Sequence, residues 1–339
     1  MWNAPLQRLD QRQIPSFLQK TYGADLESVK LISNGINLVF RFEKEGRGYY
    51  LKLTHEALRP QTALQEAILF HQFLFENTLP VPEIVFSQNG KTIEVLSQNE
   101  DVFLAHVMKE VLGESIAPLD KIGNLTPEVL KNWGRTLAQF HKIAQGYAKA
   151  PMFKRGNDIF EEFDGYVSQE NSALQHEYND VKNKILALPR TPFNFGVIHG
   201  DHRPGNVLIQ GGRIFLIDFD EPLNACLMKD IARPFFDLYV ENDLRLFEKS
   251  KPFFEGYIEV LPQMLLNFED FLLFLRLKAL DIYLWTINNW HSDIAPGGGN
   301  VREWMSRIRN SIESEASNSK CYRFLAPTGQ IVQYDPVIV

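Results

Sequence analysis

Along the first hundred positions, apolar and polar residues alternate in short runs that turn residues interrupt. Val29 to Ile32, Leu38 to Glu43 and Gly48 to Thr54 read as strands, separated by Ser33-Asn34-Gly35 and Lys44-Glu45-Gly46. The period then changes. Gln61 to Glu76 carries Leu64, Ala67, Ile68, His71, Leu74 and Phe75 on one helical stripe. Two more strands are expected around Ile84-Val85-Phe86 and from Val102 to Met108, so this part predicts a small sheet with one helix.

After Gly113 the pattern becomes helical. Pro127 to Ala144, with Leu130, Trp133, Leu137, Phe140 and His141, reads as an amphipathic helix, and a second is expected from Asp158 to Leu188. A short hairpin from Val207 to Phe219 interrupts the helices, which resume at Pro222 and run to about residue 316. Pro296-Gly297-Gly298-Gly299 reads as a loop between two C-terminal helices. A mostly-β part followed by a larger mostly-α part is an α+β pattern, distinct from alternating βαβ units. The expected boundary divides the chain into 1–108 and 109–339.

Composition narrows the partners. The chain has 339 residues, 45% hydrophobic and 23% charged, which is the range of a globular protein with a proper core. Its net charge of −7, from 35 basic and 42 acidic residues, argues against nucleic-acid binding, while leaving room for a local basic pocket. The two cysteines, Cys226 and Cys321, form neither a metal spacing nor a disulfide framework, which fits a reducing compartment. The start, Met1-Trp2-Asn3-Ala4-Pro5-Leu6, lacks the features of a secretory signal. The apolar stretch from Phe268 to Trp290 is interrupted by Glu269, Asp270, Arg276, Lys278 and Asp281, too often for a helix in hydrocarbon. A cytoplasmic protein that does not span a membrane is the expectation.

The chemistry concentrates in Val197-Ile198-His199-Gly200-Asp201-His202-Arg203-Pro204-Gly205-Asn206, followed by Ile217-Asp218-Phe219-Asp220. Val207 to Gln210 and Arg213 to Ile217 flank Gly211-Gly212, a dipeptide suited to a tight hairpin turn. With a two-residue turn Gln210 faces Arg213, and counting back sets Asn206 opposite Ile217. Asn206 and Asp218 then emerge at one end of the hairpin, where an amide oxygen and a carboxylate suit magnesium. Asp201 precedes the hairpin and is placed to accept a proton from an incoming hydroxyl or amine. Phosphoryl transfer asks for this set, because it depends on positioning and charge neutralisation more than on covalent help.

His199-x-Asp201-x-x-x-x-Asn206 resembles the catalytic loop of kinase-like enzymes, and Asp218-Phe219-Asp220 their metal-binding motif. The His-Gly-Asp form, with Asp-Phe-Asp in place of Asp-Phe-Gly, is similar to the aminoglycoside phosphotransferase, choline kinase and homoserine kinase superfamily. The resemblance covers about Leu31 to Tyr239. It implies a two-lobed, protein-kinase-like fold, with a small antiparallel-sheet lobe carrying one helix and a larger helical lobe. It implies ATP and Mg2+ as cofactors, Asp201 as catalytic base, and Asn206 and Asp218 as metal ligands. His199 would support the loop, His141 would be buried structural support, and Asp230, in Lys229-Asp230-Ile231-Ala232, would brace the loop. In the small lobe it implies that Lys52 holds the α- and β-phosphates with Glu66 as its ion-pair partner, that Ser33, Asn34 and Gly35 cover the phosphates, and that Met108 lies in the hinge facing adenine. Taken alone, Lys52 and Glu66 fit an edge-strand lysine and a solvated helix glutamate better, and their order before a catalytic loop reverses that; the turn keeps one glycine where protein kinases have three. Arg203 fits both a phosphoryl-facing cation and a solvated side chain.

The expected activity is transfer of the γ-phosphoryl group to a hydroxyl of a small molecule: an aminoglycoside, an amino alcohol, homoserine or a sugar. Asp237, Tyr239, Asp281, Trp285, Trp290 and His291 are acceptor-pocket candidates, and Asp220 and Glu221 hint at a cationic acceptor. A protein serine/threonine kinase and a non-catalytic nucleotide-binding module are the alternatives. The short connection after Asp218 disfavours the first, and intact Lys52, Asp201, Asn206 and Asp218 disfavour the second. ATP against GTP, the acceptor's identity and the oligomeric state stay open.

Overall fold

The computed structural model describes residues 6, 8–35, 37–116, 120–264, 267–290, 292–295 and 299–316. Pro296, Gly297 and Gly298 of the expected loop, the candidate His291, and Cys321 lie outside the described residues. The chain divides into two compact units: residues 1–113 with 215–220, and residues 114–214 with 221–339.

The first unit is built on an antiparallel sheet. Its strands are β1 (Lys30–Asn34), β2 (Leu38–Lys44), β3 (Arg47–His55), β4 (Ile84–Val85), β5 (Glu94–Gln98) and β6 (Asp101–Lys109). They run in the order β1-β2-β3-β6-β4, with β5 also paired to β6. Strand alternation sorts the side chains. Leu51 and Leu53 of β3 and Phe103, Ala105 and Val107 of β6 face a core closed by Ile14, Leu18 and Tyr22. These last three stand four residues apart on helix α1 (Ile14–Tyr22), which Gly23 ends at a φ of 78°. Each fully buried Leu or Phe there contributes about 1.5–3 kcal/mol. Lys52 pairs in register with Val39 on one side and His106 on the other, on the face opposite Leu51 and Leu53. Helix α2 (Gln61–Glu76) has the predicted bounds, and its Leu64 and Ile68 pack with Ile84, Ile93 and Leu104.

Residues 215–220 belong with this first unit, although the expected boundary at 108/109 assigned them to the second part. The reason is apolar: Phe219 is buried against Phe70 and His71 of α2, and the Leu216 amide donates to the Pro80 carbonyl.

The second unit is mostly helical. Helix α4 (Pro127–Ala144) has the predicted bounds and starts at Thr126, whose hydroxyl accepts from the Val129 amide; a short helix α3 (Asp120–Asn124) precedes it. The helix expected from Asp158 to Leu188 is two, α5 (Ile159–Val167) and α6 (Ser172–Ala187). Asn171 ends the first reading by capping the second helix, accepting from the Leu174 amide at 2.9 Å. Two further pairings had no strong local signal. β7 (Glu114–Ser115) pairs with β9 (Val207–Gln210), and β8 (Phe195–Ile198) pairs antiparallel with β11 (Leu223–Cys226). The β10 strand (Arg213–Leu216) follows β9 through Gly211 and Gly212, both at positive φ, as the tight turn requires. Beyond β11 come α7 (Met228–Ala232), α8 (Phe236–Val240), α9 (Arg245–Ile258), α10 (Phe268–Asn289) and α11 (Val301–Ala316). Among the described residues, no helix is long and apolar enough to cross a membrane.

Candidate active site

In the second unit, β8 delivers the loop His199-Gly200-Asp201, and its pairing with β11 sets α7 beneath that loop. Gly200 has a φ of 87°, and a Cβ there would lie 2.2 Å from the Glu221 carbonyl oxygen, so both conformation and space demand glycine. Asp230 of α7 is buried and braces the loop. Its carboxylate accepts from the backbone amides of His199 at 2.6 Å and Gly200 at 3.1 Å, and from His141 Nε2 at 3.2 Å. Burial works against this charge, but the His141 hydrogen bond and the surrounding histidines hold the carboxyl below its ordinary range. Tyr257 Oη lies 2.7 Å from His141 Nδ1, while His141 Nε2 carries the proton that it donates to Asp230. His202, which sequence reasoning passed over, is fixed in the other tautomer. Its Nδ1 donates to the Asp230 carbonyl at 3.0 Å, while Nε2 accepts from Trp133 at 2.9 Å. Burial holds its pKa at about 4, so it is neutral.

Asp201 keeps 41% of its side chain exposed. Arg203 Nε lies 3.0 Å from its Oδ2 and Arg233 Nε 3.6 Å from its Oδ1. Burial opposes its charge, but Arg233, Lys278 and Arg203 hold the carboxyl well below the usual carboxylate range. Asp201 is therefore an ionised acceptor with a surface left to solvent. Asn206 is buried, and its Nδ2 donates to the Asp201 carbonyl at 2.8 Å and to the Asp201 carboxylate at 3.1 Å. Its Oδ1 accepts no hydrogen bond among the described residues, and that oxygen suits a hard cation.

The first unit holds the complementary charge. Lys52 Nζ lies 2.5 Å from Asp218 Oδ1 and 2.5 Å from Asp220 Oδ2. Burial works against the lysine's charge, but the two carboxylates more than offset it, and its pKa lies above the ordinary lysine value. Asp220 also meets Arg59 at 2.7 Å and accepts from Asn37 Nδ2 at 3.0 Å. Thr54 in turn donates to Asn37 Oδ1. Asp218, with 34% of its side chain exposed, sits at a φ of 72°, a conformation that non-glycine residues adopt seldom and at a cost of roughly 1–3 kcal/mol.

Other expected residues fall differently. Glu66 makes no ion pair with Lys52, whose ammonium is already held by Asp218 and Asp220; the Glu66 Oε2 is buried without a hydrogen-bond partner. Ser33 and Asn34 are exposed at the end of β1, and the Gly35 amide donates to the Asn37 carbonyl. Met108 lies within the sheet, opposite Tyr50 on one side and Ile84 on the other. Tyr239 is buried in the core, and the Trp290 indole donates to the Ile294 carbonyl. Arg59, Arg233 and Lys278 were missed. Lys229 and Arg233, four residues apart and hence on one helical face, were the readable signal for part of that set.

The model of the phosphotransferase enzyme family matches residues 28–249. The amicoumacin kinase of Bacillus subtilis (strain 168) is 25% identical over 308 residues, which cover 86% of this chain and 89% of that one. Among solved structures, an amicoumacin kinase in complex with AMP-PNP, Ca2+ and amicoumacin superposes with a TM-score of 0.75 at 20% identity, covering 93% of this chain and 96% of that one. The microcompartment-associated aminopropanol kinase gives 0.70 at 17% identity, covering 94% and 99%. These likenesses carry the protein-kinase-like α+β fold, and with about two thirds of its length inside the family model, the chain belongs to the phosphotransferase enzyme family.

Proposed function

We propose that this phosphotransferase moves the γ-phosphoryl group of ATP directly to a hydroxyl of a small molecule. The observation that carries the reading is Asp201: ionised, part-exposed, and set on a loop that Asp230 holds by two backbone amides. The acceptor's oxygen attacks the γ-phosphorus while its proton passes to Asp201. The new O–P bond forms as the bond from phosphorus to the β,γ-bridging oxygen breaks, and ADP leaves with that oxygen. Asn206 Oδ1 and the Asp218 carboxylate are each a hard oxygen donor of the kind that magnesium takes, and they are the residues that would hold it. Bound there, magnesium supplies charge neutralisation on the phosphates.

Lys52 is the cation assigned to the α- and β-phosphates, with Asp220 fixing its ammonium. Glu66 is assigned as its second partner; its Oε2 is buried and has no hydrogen-bond partner among the described residues. Ser33, Asn34 and Gly35 are assigned to the turn over the phosphates, and Met108 to the strand that leads to the adenine edge. The connection from Asp218 reaches β11 at Leu223, too short for the activation segment of a protein kinase. The reaction belongs to the cytoplasm, where ATP is plentiful.

The test is ADP release with ATP and magnesium over a panel of aminoglycosides, amino alcohols, homoserine, sugars and a generic protein, in wild type and Asp201→Ala. Stimulation by a small alcohol that disappears in the variant is the expected result. Equal turnover in Asp201→Ala would remove the base role.

A further inference from the structure

Beside Asp201 the second unit has a recess lined by Gly200, Lys229, Arg233, Phe274, Lys278 and Asp281. Gly200 directly precedes the base, and Arg233 is the residue that faces it at 3.6 Å, so the recess adjoins Asp201 itself. Three of its lining side chains are cations and one is an anion. Lys278 and Asp281 neutralise each other at 2.7 Å. That leaves Lys229, and Arg233, which already faces Asp201 at 3.6 Å. The Arg233 Nε is buried without a hydrogen-bond partner. The Lys229 ammonium has neither a hydrogen bond nor an ion pair among the described residues. Asp281, Asp230 and Glu221 favour its charge from a distance, but burial and Lys278 outweigh them and pull its pKa below the ordinary lysine value. A cation held this way is costly unless something pairs with it.

We propose that the acceptor carries an anionic group, a carboxylate or a phosphate monoester, which docks between Lys229 and Arg233 and points its hydroxyl at Asp201. This inference rests on the reading of the protein as a small-molecule kinase and names the class of acceptor. The recess is tight: its free volume is about 10 Å³, room for about one water-sized group. It therefore takes no more than the charged tip of a small molecule, beside the apolar wall of Phe274 and Leu277. The acidic residues that hint at a cationic acceptor do not line it. Asp220 is engaged by Lys52 and Arg59, and Glu221 is exposed.

Matched acceptor pairs test this on the wild-type protein: glycerate against glyceramide, homoserine against homoserinamide, and glycerol 3-phosphate against glycerol. ADP release gives KM and kcat, and titration calorimetry gives binding without turnover. The anionic member of at least one pair is expected to bind roughly 10-fold tighter or better, since charged hydrogen bonds discriminate on that scale. Whether the carboxylates or the phosphate win identifies the source of the charge. Lys229→Met is expected to erase the preference by raising the acceptor KM, with the KM for ATP within about twofold of wild type, and Lys229→Arg to restore most of it. Turnover of neutral or cationic acceptors with no preference for the acid overturns the inference while leaving the kinase reading intact. A Lys229→Met enzyme whose KM rises for ATP instead assigns the recess to the nucleotide's phosphates and overturns it too. Absence of ADP release with every acceptor counts against the kinase reading beneath it.

Discussion

The charged cluster around Lys52 and the loop around Asp201 hold carboxylates in opposite ways. In the first unit, Lys52, Arg59, Asp218 and Asp220 neutralise one another, ion against ion, in an interior where each charge needs the others. In the second, Asp230 is held by two backbone amides and His141, and Asp201 keeps its own face open. The first arrangement is saturated, and on the proposed reading phosphates displace partners to enter. The second is preorganised, and on the same reading a substrate meets a carboxylate that is already ionised.

The largest effect that separates the two belongs to Asp201. Asp201→Asn keeps the shape and removes the proton acceptor, and kcat should fall by roughly 10²–10⁴-fold. Nucleotide affinity, measured by calorimetry, should change by no more than about twofold. A comparable loss of nucleotide affinity would mean that Asp201 works on the phosphates, and the contrast between the two regions would collapse.

Next comes the brace. Asp230→Ala strands two loop amides and His141 in the interior and should cost about 3–5 kcal/mol in denaturant unfolding. Asp220→Ala should cost less, because Lys52 keeps Asp218 at 2.5 Å. Equal losses would show that hydrogen-bonded bracing and ion pairing are worth the same here. The saturated cluster predicts coupling as well. Lys52→Met should raise the KM for ATP by roughly 10–100-fold. A stability cycle of Lys52→Met with Asp220→Asn should return about 1–3 kcal/mol of interaction, and a value near zero would mean that the pair is not formed in solution.

How much of this was readable follows from the range over which each signal acts. The helix Gln61–Glu76, the strand holding Lys52 and the spacing from His199 to Asn206 are local patterns, and each lies where its pattern said. The helix Ile14–Tyr22 was readable and missed, with Ile14, Leu18 and Tyr22 on one face and Gly23 at its end. So was the break at Asn171, a strong cap. The pairing of Phe195–Ile198 with Leu223–Cys226 was not legible, since two four-residue runs far apart in sequence announce no partner. For the same reason nothing around Lys52 announced Asp220, 168 residues on, which pairs with it; the Glu66 partner came from the resemblance alone. The cationic recess needed Lys278, which only folding brings beside Lys229 and Arg233.

The smallest effect is the most direct comparison, because each region buries one neutral histidine. His106, beside Lys52, is held at a pKa of about 3, and His202, under the Asp201 loop, at about 4, both by burial first. The ordinary value is 6.5, so between pH 6.5 and about 4 the unfolded chain takes up protons that the folded protein refuses. Stability is therefore highest above pH 6.5 and falls as pH drops, by about 1.4 kcal/mol per pH unit for each histidine. Urea unfolding of wild type, His106→Gln and His202→Gln from pH 6 to pH 4.5 should show each variant less stable at neutral pH, yet with a shallower slope by that amount. A slope unchanged in His106→Gln alone would mean that the ion cluster admits water, and one unchanged in His202→Gln alone that the loop does. The two slopes thus measure how tightly each region excludes solvent around the charge it controls.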